Sequence, residues 1–388
     1  MRIYLDYNAT TPAHPDVVDA MTRLLRDEYG NASSVHAFGQ RAKMIVDEAR
    51  VQVAALIDAD AADIVFTSGG TEADNFALRG AAETMAGSGR RHLIASAIEH
   101  EAVLATLKAL ERRGWTTHML PVGPTGVVSP DALRNAIRPD TAVVSVMHAN
   151  NEVGTIQPIA ELAAIAREHG ALFHADAVQT VGKIPVSVRS VGADLLSLSG
   201  HKFGGPKGIG ALWIRRGVRL TPFMTGGRQE RNRRAGTENV PAIGGLGVAA
   251  RAARETLTAD AQSMSALRDR LEDGVLAHVP GTSINGDRTQ RVPNTSNISF
   301  DGIEAESLLI ALDLEGIAVS TGSACSSGSL EPSHVLRAMG LPQARTRNSL
   351  RFSLGRGTTE AEIDFVIEKL PGLAARLRQL THRAVALR

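Results

Sequence analysis

Asp194-Leu195-Leu196-Ser197-Leu198-Ser199-Gly200-His201-Lys202-Phe203-Gly204-Gly205-Pro206-Lys207-Gly208 starts as an apolar run of strand length and breaks into a glycine-rich turn carrying a histidine and a lysine. The same form recurs on both sides of it. Short apolar, β-branched runs predict strands over 63–67, 92–97, 142–148, 171–174, 194–198 and 210–214, with alanine-rich helical stretches between them. Helices are expected over 131–137 and 159–169, the second opened by Pro158 and stopped by Gly170. Strands alternating with helices require a mostly parallel sheet covered by helices, so the fold class is α/β.

Beyond about residue 250 the composition shifts. A long helical pattern over 260–278 precedes Pro293-Asn294-Thr295-Ser296-Asn297-Ile298-Ser299-Phe300, which reads as the opening of a second domain. The strand-like Leu350-Arg351-Phe352-Ser353-Leu354 and an amphipathic helix over 360–380 complete it. With 388 residues, 43% hydrophobic and 21% charged, the chain is long enough for two domains and too apolar to be disordered. Lys plus Arg total 42 and Asp plus Glu 41, a net charge of +1 that argues against a nucleic-acid partner. The single cysteine, Cys325, allows no internal disulfide and suits a reducing, cytoplasmic setting. The start Met1-Arg2-Ile3-Tyr4-Leu5-Asp6 reaches a carboxylate before a signal-peptide core forms, and no apolar run approaches the ~20 residues of a membrane span.

In open α/β sheets ligands gather outside the carboxyl ends of the strands. Five of the expected strands end in chemistry there. Thr67-Ser68-Gly69-Gly70-Thr71 suits a phosphate on free backbone N–H groups, or is an ordinary turn with a helix cap. Glu99-His100-Glu101 puts an imidazole at a helix start, where a plain polar cap is the alternative. The amides of Ala149-Asn150-Asn151-Glu152 could hold a carboxylate or shape a turn. In His174-Ala175-Asp176-Ala177-Val178-Gln179 an acid ends a buried-looking run and must be paired, with a cationic ring nitrogen or as a helix cap. Lys202, in its glycine-rich turn, is unlike a solvated surface lysine, and a lysine whose pKa is depressed can form a Schiff base. One ligand uses all five together: pyridoxal phosphate needs a lysine for its aldehyde, an acid for its ring nitrogen, a flat group on its face and a phosphate cradle. A nicotinamide site would want G-x-G-x-x-G after the first strand, which is absent.

At these residues the chain resembles the cysteine desulfurases of the class V aminotransferase group, above all the nitrogen-fixation (NifS-like) type. The resemblance runs from Tyr4-Leu5-Asp6-Tyr7-Asn8-Ala9-Thr10-Thr11-Pro12 and Gly30-Asn31-Ala32-Ser33-Ser34-Val35-His36 to Leu350-Arg351-Phe352-Ser353-Leu354-Gly355. Its most specific pieces are Ser199-Gly200-His201-Lys202, Arg234-Ala235-Gly236-Thr237-Glu238-Asn239 and Gly322-Ser323-Ala324-Cys325-Ser326-Ser327-Gly328-Ser329-Leu330-Glu331-Pro332-Ser333. It implies a fold-type I pyridoxal-phosphate transferase with a large cofactor-binding domain at 12–252. A smaller α+β domain at 253–388 is joined by segment 1–11 and carries the catalytic-cysteine loop.

Carried over by position, the resemblance implies that Lys202 takes the cofactor aldehyde, Asp176 pairs with the ring nitrogen, Gln179 contacts the ring hydroxyl and His100 stacks on the ring. Gly70, Thr71, Ser199 and His201 would hold the phosphate, with Thr237 reaching across a homodimer. Asn151 and Arg351 would bind the carboxylate of L-cysteine, for which the planar guanidinium is well suited; a solvent-facing strand charge is the plain alternative for Arg351. Cys325, His100 and Lys202 would be catalytic. An isolated cysteine is ordinarily a small buried apolar residue, but the neighbours of Cys325 offer almost nothing apolar and read as a polar loop ahead of a helix begun near Pro332. As thiolate, Cys325 would take sulfur as a persulfide and pass it to an iron–sulfur scaffold protein. The rival readings are a class V aminotransferase with no need of the thiol, a selenocysteine lyase, and a partner protein without turnover. The chain stops at Ala384-Val385-Ala386-Leu387-Arg388 without the scaffold-docking tail of housekeeping relatives, which favours the nitrogen-fixation type.

Overall fold

The computed structural model describes residues 2–322 and 332–386, the side chains of 381–386 excepted. Among them the strands are β1 (Ile3–Tyr4), β2 (Ile64–Thr67), β3 (His92–Ser96), β4 (Thr116–Leu120), β5 (Thr141–Ser145), β6 (Leu172–Asp176), β7 (Leu195–Ser199), β8 (Gly210–Ile214), β9 (Thr282–Asn285), β10 (Thr295–Phe300), β11 (Ile317–Ala318) and β12 (Ser349–Ser353). Seven of them form one sheet in the order β2-β8-β7-β6-β5-β3-β4. The pairs from β7 to β4 are parallel, and β8 runs antiparallel to both β7 and β2. The expected α/β class and mostly parallel sheet are therefore found. β2 and β7 consequently share a direction, so β2, β3, β5, β6 and β7 all deliver their carboxyl ends to one edge.

All six expected strands are present within a few residues of their expected ends. β4 was not expected. It lies at the sheet edge with Thr116, His118 and Met119 exposed, so its sequence lacks both the buried run and the clean alternation that mark a strand. The helical pattern expected over 260–278 is the second half of one helix, Val240–His278. Its first half is rich in glycine, which disfavours helix locally. Tertiary packing decides there: a Cβ on Gly244 would lie 2.5 Å from Leu24 Cδ1, one on Gly245 2.8 Å from Met21 Cγ, and one on Gly247 2.6 Å from the Ala49 Cα. The glycines let helices α1 (Pro15–Asp27) and α2 (Ala37–Leu56) approach closely.

Apolar side chains gather on both faces of the large sheet: Ile94, Val144, Phe173 and Leu196 on one, and Val65, Leu93, Val143 and Leu195 on the other. A separate cluster joins Ile3 and Leu5 to Leu271, Ile298, Phe300, Leu350, Phe352 and Ile363. It is built on the antiparallel sheet β12-β10-β9, the β1–β11 pair and the C-terminal helix Glu360–Ala386. Segment 5–11 leaves that cluster and crosses to the carboxyl edge of the large sheet, where Thr11 N donates to His201 O at 2.9 Å.

Candidate active site

The turn after β2 and the end of β7 meet because Thr67 and Ser199 both lie opposite Gly210 of β8. Gly210 has no room for a side chain, its Cβ position lying 2.8 Å from the Gly69 Cα. Gly69, at φ +153°, starts helix α3 (Gly70–Ala86), and a Cβ on Gly70 would lie 2.8 Å from Val178 Cγ2 and 3.5 Å from Ser199 Cβ. Gly70 and Ser199 thus lie side by side at a helix N-terminus, with Thr71 next in the chain. Thr71 lies one residue inside the helix and does not cap it.

His100 is the N-cap of helix α4 (Glu101–Glu111), its Nδ1 accepting from Ala102 N at 3.1 Å. The capping role is real, and it leaves the ring exposed at the sheet edge close enough to Asp176 to favour that carboxylate. Asp176 ends β6, buried, with Oδ1 accepting from Val178 N at 2.9 Å. Burial raises its pKa, and the Val178 N–H bond, then the His100 and Lys202 charges, draw it back down. Behind it lies a polar layer: His174 bridges Ser145 and Ser197 at 2.8 and 2.9 Å, and Asp74 of α3 stands 3.6 Å from its Nε2. Burial, then the charge on Asp176, hold the Asp74 carboxyl well above the usual range, and burial pushes Glu99 up to about 8.

Lys202 donates its Nζ to the carbonyls of Asn8 and Ala9 at 2.7 and 2.8 Å. Burial and the neighbouring Arg351 cation lower its pKa to about 8, against the opposing pull of Asp176 and Asp6. Burial also brings His201 down to about 4, with its Nδ1 3.1 Å from Thr10 Oγ1. Arg351 on β12 is buried, which replaces the solvent-facing alternative. Its Nη2 donates to Asp6 Oδ1 at 2.7 Å and its Nη1 to Asn151 O at 2.9 Å, while its buried Nε has no partner among the described residues. An arginine with a spare donor beside a neutralisable lysine can receive a carboxylate.

Asn8, which sequence reasoning did not single out, ties these groups together. Its carbonyl accepts from Lys202 and from Gln179 Nε2, the latter at 3.1 Å. Its amide donates to Asn151 O at 3.1 Å and Thr295 Oγ1 at 2.8 Å and accepts from Lys183 and Asn294 at 2.8 and 3.0 Å. Its position within a motif-like N-terminal stretch was the only signal. The structure thus gathers Gly70, Thr71, His100, Asn151, Asp176, Gln179, Ser199, His201, Lys202 and Arg351 along one edge. Thr237 is exposed beyond the Glu72–Arg234 ion pair of 2.8 Å, and nothing among the described residues joins it to the others. Cys325 lies outside the described residues; of its flanks, Ser320 pairs through its backbone with Arg351, and Ser333 donates to the buried Glu152 at 2.6 Å.

The sequence profile described as Aminotransferase class-V matches residues 3–366. The chain is 53% identical to a protein named cysteine desulfurase from Nostoc sp., over 98% of this chain and 94% of that one. It is 49% identical to one named cysteine desulfurase IscS from Methanosarcina thermophila, with 98% and 93% covered. Among solved structures, a NifS-like protein superposes with TM-score 0.91 at 39% identity, covering 97% of this chain and 100% of the other. A NifS-like protein from Rickettsia africae does so with TM-score 0.86 at 32% identity, covering 96% and 99%. A match over nearly the whole chain, in sequence and in fold, places this protein in the class-V aminotransferase family.

Proposed function

We propose that this protein is a pyridoxal-phosphate-dependent cysteine desulfurase, converting L-cysteine to L-alanine and handing the sulfur to an acceptor for iron–sulfur cluster assembly. The observation that carries the reading is the meeting of Lys202, Asp176, Gln179 and Arg351 at one sheet edge, in a family whose members named above are cysteine desulfurases.

The residues fit the cofactor. Gly70, which has no space for a side chain, and Ser199 lie at the N-terminus of α3, where the backbone N–H groups would hold the phosphate with Thr71 and His201. Asp176, buried at its strand end, would face the ring nitrogen, Gln179 the ring oxygen and His100 the ring face. When bound, the cofactor supplies a covalent anchor for the substrate amine and a sink for electrons at its α carbon. The rest falls to the chain. Arg351 binds the substrate carboxylate with Asn151 beside it. Lys202, whose pKa burial lowers to about 8 so that a useful fraction is neutral at physiological pH, holds the α proton after removing it and returns it. His100 moves a proton to or from substrate or thiol. Cys325 as thiolate forms the new S–S bond as the substrate C–S bond breaks, so that cysteine plus enzyme thiol give alanine plus enzyme persulfide.

The same reading includes a homodimer in which Thr237 completes the partner's phosphate site. The exposed Tyr29, Val35, Phe38, Met44 and Val51 on and before α2 support it as an apolar face to be covered. It also includes a cofactor domain at 12–252 and a smaller one at 253–388 joined by segment 1–11, supported by the separate apolar clusters. A cytoplasmic site of action suits the lone thiol, and no helix among the described residues is long and apolar enough to cross a membrane. The nitrogen-fixation type is supported by the NifS-like neighbours. The test measures alanine and sulfide released from L-cysteine with added reductant, for wild type and Cys325→Ala. Equal yields that vanish in the variant are expected; a keto acid product, or activity that survives loss of the thiol, refutes the desulfurase.

A further inference from the structure

Lys183 is a fully buried lysine to which the proposed chemistry gives no task. It sits four residues beyond Gln179, in the turns that follow β6, and donates from Nζ to two acceptors, Gln179 Oε1 at 2.7 Å and Asn8 Oδ1 at 2.8 Å. An amine with two N–H groups satisfies both acceptors whether or not it is charged. Burial and the cations of Lys202 and Arg351 hold its pKa well below that of an ordinary lysine, and the geometry is unaffected by this. The charged groups acting on Lys183 are Lys202 after β7 and Arg351 on β12, and the carboxylates of Asp176 on β6 and Asp6 from the N-terminal segment act in turn on Lys202.

The consequence concerns which end of the Gln179 amide faces the site. The two ends of an amide are nearly the same size, so only hydrogen-bond partners decide its orientation. Lys183 takes the oxygen. The nitrogen is therefore turned to the other side, where one hydrogen reaches the Asn8 carbonyl at 3.1 Å and the second is left for a ligand. We propose that Lys183 is a positioning residue which locks Gln179 as an N–H donor toward the ring oxygen of the cofactor, so that this oxygen is held in its ionised form. The inference rests on the pyridoxal-phosphate reading above. A donor stabilises the ionised oxygen, whereas an amide held only by its 3.1 Å bond to the Asn8 carbonyl can turn, offer its own oxygen and favour the protonated one.

The experiment adds pyridoxal phosphate to the full chain and titrates the absorbance of the bound chromophore with pH, for wild type, Lys183→Met and Lys183→Gln. Loss of the lock raises the pH midpoint at which the chromophore releases its proton, by about one unit in the methionine variant. The glutamine variant keeps an N–H donor without a charge, and it is expected to restore most of the wild-type midpoint. An equal shift in both variants would mean that only the charge of Lys183 matters, and an unchanged midpoint in Lys183→Met would mean no positioning at all; either overturns the proposal. Where the methionine chain does not fold, Gln179→Leu removes the same donor while leaving Lys183 on Asn8, and an unshifted midpoint there overturns it equally. A wild-type chain that gains no bound chromophore refutes the cofactor reading instead, so the two failures are distinguishable.

Discussion

Replacing Glu99 by glutamine tests the electrostatics of the site floor. Glu99 is buried beside His100, its Oε1 accepting from Ser96 Oγ and from Met147 N at 2.8 Å. Its Oε2 is buried with no partner among the described residues. Burial lifts its pKa from 4.5 to about 8, so the folded chain keeps a proton that the unfolded chain releases. Because the folded value is the higher one, this contribution to stability is fully present below about pH 4.5, declines as pH rises and is constant above about pH 8. Each pH unit inside that window is worth ~1.36 kcal/mol, so from about pH 5 to about pH 7 the wild type loses ~2.7 kcal/mol through this group. Glu99→Gln retains the shape and the Oε1 contacts without the titration. Its amide nitrogen takes the place of the unpartnered oxygen, a penalty independent of pH that cancels between the two conditions. The stability of the variant relative to wild type should therefore rise by ~2.7 kcal/mol from pH 5 to pH 7, or about 3 °C in melting midpoint for a chain of 388 residues. Urea or thermal unfolding of both proteins at both pH values measures it. An offset that is the same at pH 5 and pH 7 would show Glu99 ionised in the folded protein and refute the account. A neutral Glu99 matters to function because it spares Asp176 a second negative charge close by.

Three further outcomes are expected. Arg351→Lys keeps the charge but loses the planar fork, and should raise the KM for L-cysteine about tenfold with a smaller change in kcat; an unchanged KM would remove Arg351 from the carboxylate site. Gly70→Ala puts a methyl 2.8 Å from Val178 Cγ2, and overpacking of ~1–3 kcal/mol should weaken cofactor retention roughly tenfold to a hundredfold in a dialysis assay. The cofactor-free protein should melt within a few degrees of wild type, and full retention of cofactor would contradict the start of α3 as phosphate site. Covalent capture of pyridoxal phosphate by the cofactor-free chain needs neutral Lys202, whose pKa burial lowers to about 8. Its rate should climb about tenfold per pH unit below that value and level off above it, whereas a rate still climbing at about pH 10 would mean an ordinary lysine.

The amino-acid sequence by itself determined the α/β class, the mostly parallel sheet and the strand-end residues from Gly70 to Lys202. These are local properties. A run of four or five branched apolar residues followed by glycine is a strand and its turn wherever it occurs, and parallel strands bring such turns to one edge. The roles of His100, Gln179, Thr237 and Arg351 came from the likeness to a family, since periodicity alone leaves His100 a cap and Arg351 a surface charge.

Only the tertiary structure decided what depends on distant chain. Arg351 is buried because Asp6, 345 positions earlier, supplies its counter-charge at 2.7 Å. Asn8 becomes the hub because the N-terminal segment leaves one core and crosses the other's edge, meeting Asn151, Gln179, Lys202 and Thr295 at once. Lys183 is buried because Asn8, 175 positions earlier, and Gln179 accept from its Nζ. The glycine-rich start of Val240–His278 is helical because two other helices press on it. In each case the partner that gives the residue its place is far away in the chain, so no local pattern carries the information and only packing supplies it.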